Sequence, residues 1–190
     1  MKNLLKFAFA VLFASVLFAG CSQDNNPVAP ADGGNGNNGG GGDPIIKTPI
    51  YMSINDISVK GFPKNKSNGD PWDWNPLSPT EQKPDIAVIL QRNGNYSPVF
   101  WSDQRKNATY TNTYVFNNAK SSQDGRLPYS VPQTQTFRVT LIDNDLVGHD
   151  NIGYVTFTPS SVYQDDNATS FSKTITRNGV TIKIRGSWVY

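Results

Sequence analysis

The 190-residue chain has one cysteine, Cys21, one histidine, His149, and one glutamate, Glu81. Each scarcity excludes something. With a single cysteine no disulfide forms within the chain, and with no second His or Cys a tetrahedral transition-metal site lacks its usual ligands. A nucleophilic triad needs a base placed beside a Ser or Cys, and no such arrangement surrounds His149. Glycoside hydrolysis needs two carboxylates at a defined separation, and Glu81 stands alone among fourteen aspartates. The expectation is a protein that is not an enzyme. Charge of one sign is also missing. The formal net charge of +2 comes from Lys2 and Lys6 in an N-terminal leader; without them 15 basic residues face 15 acidic ones. No basic run remains, so nucleic acid is not an expected partner. Sustained helical periodicity is absent as well.

What is present divides the chain into three. Residues 1–20 carry Lys2 and Lys6 ahead of an apolar run from Phe7 to Ala19, the layout of a secretory signal and too short to span a bilayer comfortably. The run ends in Phe18-Ala19-Gly20-Cys21. Residues 21–47 are Asn-, Pro- and Ala-rich and then read GGNGNNGGGG. They have no apolar periodicity, so the expectation is a flexible tether holding whatever follows roughly 30 Å away on average. No strand precedes these glycines and no helix follows them, so they do not form a phosphate cradle. Residues 48–190 are long enough for one domain with a proper core.

In this domain short runs rich in Val, Ile, Thr, Tyr and Phe alternate with Asn, Gly, Asp and Pro clusters. Strands are expected at 52–62, 86–92, 97–102, 109–117, 136–143, 152–158, 170–176 and 180–190, with Asn93-Gly94 and Asn178-Gly179 as hairpin turns. The expected fold is therefore all-β, an eight-stranded antiparallel β-sandwich.

The stretch FRVTLIDNDLVGHDNIGYVTF, residues 137–157, organises the domain. Phe137, Val139 and Leu141 recur at period two, and the strand runs directly into Asp143, Asp145 and Asp150. Three carboxylates within eight residues repel one another once a fold holds them close. Two readings follow: a hairpin loop of solvated aspartates, or a cage for a hard cation, for which calcium suits best because it takes six to eight oxygen ligands in flexible geometry. A second acidic segment lies in the long connection 63–85, where Asp70, Trp72, Asp73 and Trp74 stand close together and Asp85 opens the next strand.

Two resemblances emerge from these residues. Phe18-Ala19-Gly20-Cys21 resembles the lipobox of bacterial lipoproteins, with Phe18 where leucine is usual. This implies lipidation at Cys21 and anchoring to the bacterial envelope. Ser22 after Cys21, rather than Asp, implies the outer membrane. The order of acidic loop, Pro84-Asp85-Ile86-Ala87-Val88 and then 137–157 resembles the calcium- and lipid-binding C2 domain over about residues 54–190. Asp143-x-Asp145 followed by Asp150-Asn151-Ile152-Gly153 is similar to its third calcium loop, though one residue shorter. The resemblance implies calcium as cofactor and Asp73, Asp85, Asp143, Asp145 and Asp150 as its ligands. Asp70 competes with Asp73, which is favoured because Trp72 and Trp74 flank it. Leu146 and Val147, at the loop tip, would contact lipid or a protein partner. The alternative is a carbohydrate-binding module in which Trp72 and Trp74 stack on sugar rings.

Overall fold

The computed structural model describes residues 47–73, 82–145, 148–163 and 168–190. The leader, Cys21, the tether, Trp74, Leu146 and Val147 lie outside the described residues. Among the described residues nine strands appear in chain order: β1 (Tyr51–Gly61), β2 (Ile86–Arg92), β3 (Pro98–Trp101), β4 (Tyr114–Phe116), β5 (Tyr129–Pro132), β6 (Phe137–Asp143), β7 (Asp150–Phe157), β8 (Ser170–Arg177) and β9 (Val180–Val189). One short helix, α1 (Pro159–Val162), follows β7. Among the described residues no helix is long and apolar enough to cross a membrane.

The strands form two antiparallel sheets, the sandwich that the strand spacing predicts. One runs β4-β1-β9-β8, with β5 also on β1; the other runs β3-β2-β6-β7. In β1 the apolar positions Met52 and Ile54 are out of phase with Ile57 and Val59, yet all four are buried. A register shift between Ile54 and Asp56 opposite β9 reconciles them, since an inserted residue returns the later side chains to the core face. The same break separates the partners on the other edge: β5 pairs with Tyr51–Ile54 and β4 with Ile57–Val59. Gly186 of β9 meets β1 here, where an added Cβ would lie 1.8 Å from the Ser53 carbonyl oxygen. No larger residue fits that approach.

Strand β2 is apolar on both faces because both are covered. Ile86, Val88 and Leu90 enter the main core, while Ala87 and Ile89 join Ile142 beneath Trp101 on the outer side. Strand β6 sends Phe137, Val139 and Leu141 inward, and Phe137 stacks on Phe157 of β7 at 6.0 Å. The register Ile86–Asp143 between β2 and β6, and Asp143–Asp150 between β6 and β7, brings three expected ligand segments to one end of this sheet.

The structure differs from the eight expected strands in three places. The run 109–117 contracts to Tyr114–Phe116, because 107–113 turns instead: Asn107 has φ 51° and the Asn112 N–H donates to the Thr109 carbonyl. Strand β5 was hidden in the sequence by Pro128 and Pro132, which read as breakers; it pairs at the margin of the sheet, where proline is tolerated. Helix α1 is a single turn opened by Pro159.

Candidate metal centre

Asp143 is the last inward position of the stripe Phe137, Val139, Leu141, Asp143. The period that buries three apolar side chains therefore buries a carboxylate, which is fully shielded from solvent. Its Oδ1 accepts the Asp85 backbone N–H at 2.8 Å. Its Oδ2 is buried and has no hydrogen-bond partner among the described residues. A lone pair left in that state is costly, by about 1–3 kcal/mol or more for a charged group.

Asp73 and Asp145 supply the rest of the cluster. One carboxylate oxygen from each of Asp73, Asp143 and Asp145 lies within 4.8 Å of the others. Asp73 is half-buried and arrives by way of Trp72, whose ring enters the core and whose Nε1–H donates to the Pro63 carbonyl at 2.9 Å. Asp145 is exposed. Asn144 between the two loop aspartates is pinned twice: its N–H donates to the Asp85 carbonyl at 2.8 Å, and its Nδ2 to Gln104 Oε1 at 2.6 Å. That pinning sets the direction of the loop as it leaves β6.

The electrostatics register the crowding. Burial first, then the charge of Asp143, a hydrogen bond with Asp145 and the charges of Asp145 and Asp85 push the Asp73 carboxyl up to about 7. Burial likewise pushes Asp143 up to about 6; the Asp85 N–H opposes the rise, Asp145 and Asp85 add to it, and Lys66 opposes it. Without a cation, two of the three carboxyls hold their protons into the range where aspartate is ordinarily ionised.

Asp85 and Asp150 lie beside the cluster with protein partners of their own. Asp85 Oδ1 accepts the Asn107 N–H at 2.8 Å, and its Oδ2 lies 3.5 Å from Gln104 Nε2. Asp150 pairs with Lys66 at 2.6 Å. Asp70, the competitor of Asp73, sits in a local turn, taking a hydrogen bond from Asn68 Nδ2 at 2.6 Å and giving its own N–H to Asn68 Oδ1 at 3.1 Å. Gln104, Asn107, Asn144 and Lys66 are the neighbours that sequence reasoning missed. Only Asn144 carried a signal, its place between two aspartates.

The Trp72 half of the sugar-stacking reading is corrected: Trp72 is only 6% exposed. Its packing and its bond to Pro63 leave no free ring face. His149 lies edge-on to Trp101, with ring centroids 5.6 Å apart.

The donor set fits a hard cation. One ion bridges oxygens separated by up to twice its bond length, about 4.6–5.2 Å for calcium, and the three oxygens all lie within 4.8 Å of one another. Magnesium demands octahedral geometry at about 2.0–2.1 Å and gives up its waters reluctantly, so a set of loop carboxylates suits it less.

No family profile matches the chain, and no curated protein matches it. Solved structures do resemble it. A C2 domain of plant extended synaptotagmin 1 is 12% identical with a TM-score of 0.42, over 75% of this chain and 97% of that one. A structure described as a C2 domain is 10% identical with a TM-score of 0.41, over 74% and 99%. A human cytosolic phospholipase A2 of the GIVD group is 12% identical with a TM-score of 0.43; the match covers 75% of this chain and only 18% of the phospholipase. At such identities and scores these likenesses fix neither ligand nor activity. The neighbours nonetheless include C2 domains, the family whose loop motifs 143–153 resembles.

Proposed function

We propose that the chain is a bacterial envelope lipoprotein, anchored through lipidated Cys21 in the outer membrane, whose C2-like sandwich binds calcium through Asp73, Asp143 and Asp145 and thereby engages lipid or a protein partner. The observation that carries the calcium reading is Asp143 Oδ2, buried with no hydrogen-bond donor among the described residues and belonging to a cluster with two further carboxylates. Asp85 lies next to these ligands and can extend the shell, with backbone carbonyls and water completing it. Among the solved neighbours is a calcium-bound pair of extended synaptotagmin 2 C2 domains; the calcium reading here stands on the aspartates themselves. The anchoring rests on the leader and on the Gly/Asn-rich stretch after Cys21.

The engagement step is tested by sedimenting the protein with vesicles of anionic phospholipid in ~1 mM calcium, within the range of extracellular calcium modules, and in EDTA. Calcium-dependent pelleting is the expected outcome. Equal pelleting in both conditions removes the lipid-binding part of the proposal. Retention on immobilised polysaccharide, abolished by replacing Trp74, would favour the carbohydrate reading instead.

A further inference from the structure

Asp145 stands two residues beyond the last residue of β6 and is exposed. The alternation of the strand therefore does not hold it, and the backbone between it and Asp143 has to be fixed from outside β6. The residue in between is Asn144, whose N–H donates to the Asp85 carbonyl at 2.8 Å and whose Nδ2 donates to Gln104 Oε1 at 2.6 Å. Gln104 belongs to the segment after β3, 40 residues away in sequence.

Gln104 is itself firmly mounted. Its neighbour Arg105 bridges to Ile86, the first residue of β2: the Ile86 N–H donates to the Arg105 carbonyl at 2.9 Å, and the Arg105 N–H to the Ile86 carbonyl at 2.8 Å. The Arg105 guanidinium donates to Asp103 Oδ2 at 2.7 Å and to the Val115 carbonyl at 3.0 Å. On the other side the Asp103 N–H donates to the Asn118 carbonyl at 3.0 Å. Both residues flanking Gln104 are thus tied to the body of the sandwich, and its half-buried side chain reaches Asn144 from that fixed base.

An amide is the group that the two neighbours require. Asn144 Nδ2 calls for an acceptor, and Asp85 Oδ2, 3.5 Å from Gln104 Nε2, calls for a donor. An ionised glutamate offers only acceptors and a lysine only donors, whereas glutamine offers both. The contact with Asp85 is long, which leaves that carboxylate able to turn toward an ion; the bond to Asn144 is short.

We infer that Gln104 is a positioning residue of the calcium centre: through Asn144 it holds Asp145 in place facing Asp73 and Asp143 before any ion arrives. This inference rests on the calcium reading and assigns the setting of its affinity to a residue outside the ligand set. A ligand ordered in advance spares the ion the cost of ordering it, and replacing a partner that orients a ligand typically weakens metal binding ~10–100-fold.

Calorimetric titration of the full chain with calcium, paired with thermal melting in EDTA, tests this. Gln104→Met keeps the length of the side chain and removes both polar atoms. It should weaken calcium about 10-fold or more while moving the EDTA melting temperature by less than about 3 °C, because the half-buried Asn144 amide then bonds to water. Asn144→Ala removes the other partner, keeps the backbone bond to Asp85, and should weaken calcium to a similar extent. Because the two side chains act as one unit, the double variant should bind about as weakly as either single one. A Gln104→Met protein that binds calcium as tightly as the wild type overturns the inference. So does a double variant about 100-fold weaker than the wild type, which would mean that the two residues act separately. Either result leaves the calcium site standing. A fall of more than about 3 °C in EDTA would make Gln104 a support of the fold and overturn its positioning role. No calcium binding to the wild type overturns the calcium reading and the inference together.

Discussion

Replacing Asp143 by Asn isolates the strain in the acidic loops. The amide has nearly the shape of the carboxylic acid. Its oxygen can accept the Asp85 N–H as Oδ1 does now, and its nitrogen can donate toward the Asp73 and Asp145 carboxylates, where Oδ2 now has no donor. In the wild type this carboxyl is pushed from 3.8 to about 6 by burial and by its acidic neighbours. At about 1.4 kcal/mol per pH unit, ionising it at about pH 7.5 in the cation-free protein costs on the order of 3 kcal/mol, less whatever the loops recover by relaxing. Asn avoids that cost. For a domain of this size the variant should melt about 3–10 °C above the wild type in EDTA at that pH.

The gain should be pH-dependent, with a definite sign. A carboxyl whose folded pKa is raised binds protons in the folded state that the unfolded chain has released, so wild-type stability falls as pH rises from about 4 through about 6 for Asp143 and about 7 for Asp73. At about pH 5 the folded wild-type Asp143 is largely protonated, so the gap between the two melting temperatures should shrink to roughly half, closing only near about pH 4. Scanning calorimetry in EDTA at about pH 5.0 and about pH 7.5 makes the comparison. A variant that melts below the wild type at the higher pH, or a difference that grows toward the lower one, would refute the reasoning that Asp143 is a strained anion awaiting a cation.

Three further outcomes follow from the same structure. Calcium must displace the protons held by Asp73 and Asp143, so its affinity should fall roughly ten- to a hundredfold between about pH 7.5 and about pH 5.5, measured by calorimetry; a pH-independent affinity would place the ion elsewhere. Trp72→Ala removes a core side chain and the Nε1–H bond to Pro63, and should lower stability by about 3–5 kcal/mol in urea unfolding; a loss below about 1 kcal/mol would mean that the ring does not anchor the loop. Cys21→Ser should move the protein from the membrane fraction to the soluble one, and a variant still labelled by radioactive fatty acid would exclude Cys21 as the lipidation site.

Much of the sandwich was legible because its signals are local. Strands β2 and β6 carry uninterrupted apolar runs or a strict period of two, and the Asn178-Gly179 turn has positive φ at both residues, 50° and 79°, so the β8–β9 hairpin could be placed within a residue. The nearness of Asp143 and Asp145 was legible for the same reason, the two standing two residues apart where β6 ends and its loop begins. Long-range partners were not. Nothing near Asp150 announces Lys66, and nothing near Asp85 announces the Asn107 N–H; both partners arrive through loops whose path depends on the whole fold. Trp72 shows the same limit in reverse. A tryptophan in a long polar connection reads as exposed, and only its packing into the core and its bond to the Pro63 carbonyl bury it. Strand β5 was hidden because its prolines argue against a strand unless its marginal position is already known.

Whether Asp73, Asp143 and Asp145 hold calcium is decided by thermal melting of the protein with and without the ion at about pH 7.5. A cation that binds only the folded form stabilises it by about 2.7 kcal/mol at a hundredfold excess over its dissociation constant. With affinities in the range of about 0.1–1 mM common to extracellular modules, ~10 mM calcium should raise the melting temperature by several degrees, EDTA should reverse the shift, and ~10 mM magnesium should do much less. The same melting temperature in EDTA and in ~10 mM calcium would contradict the account and leave the three aspartates as an acidic cluster without a metal.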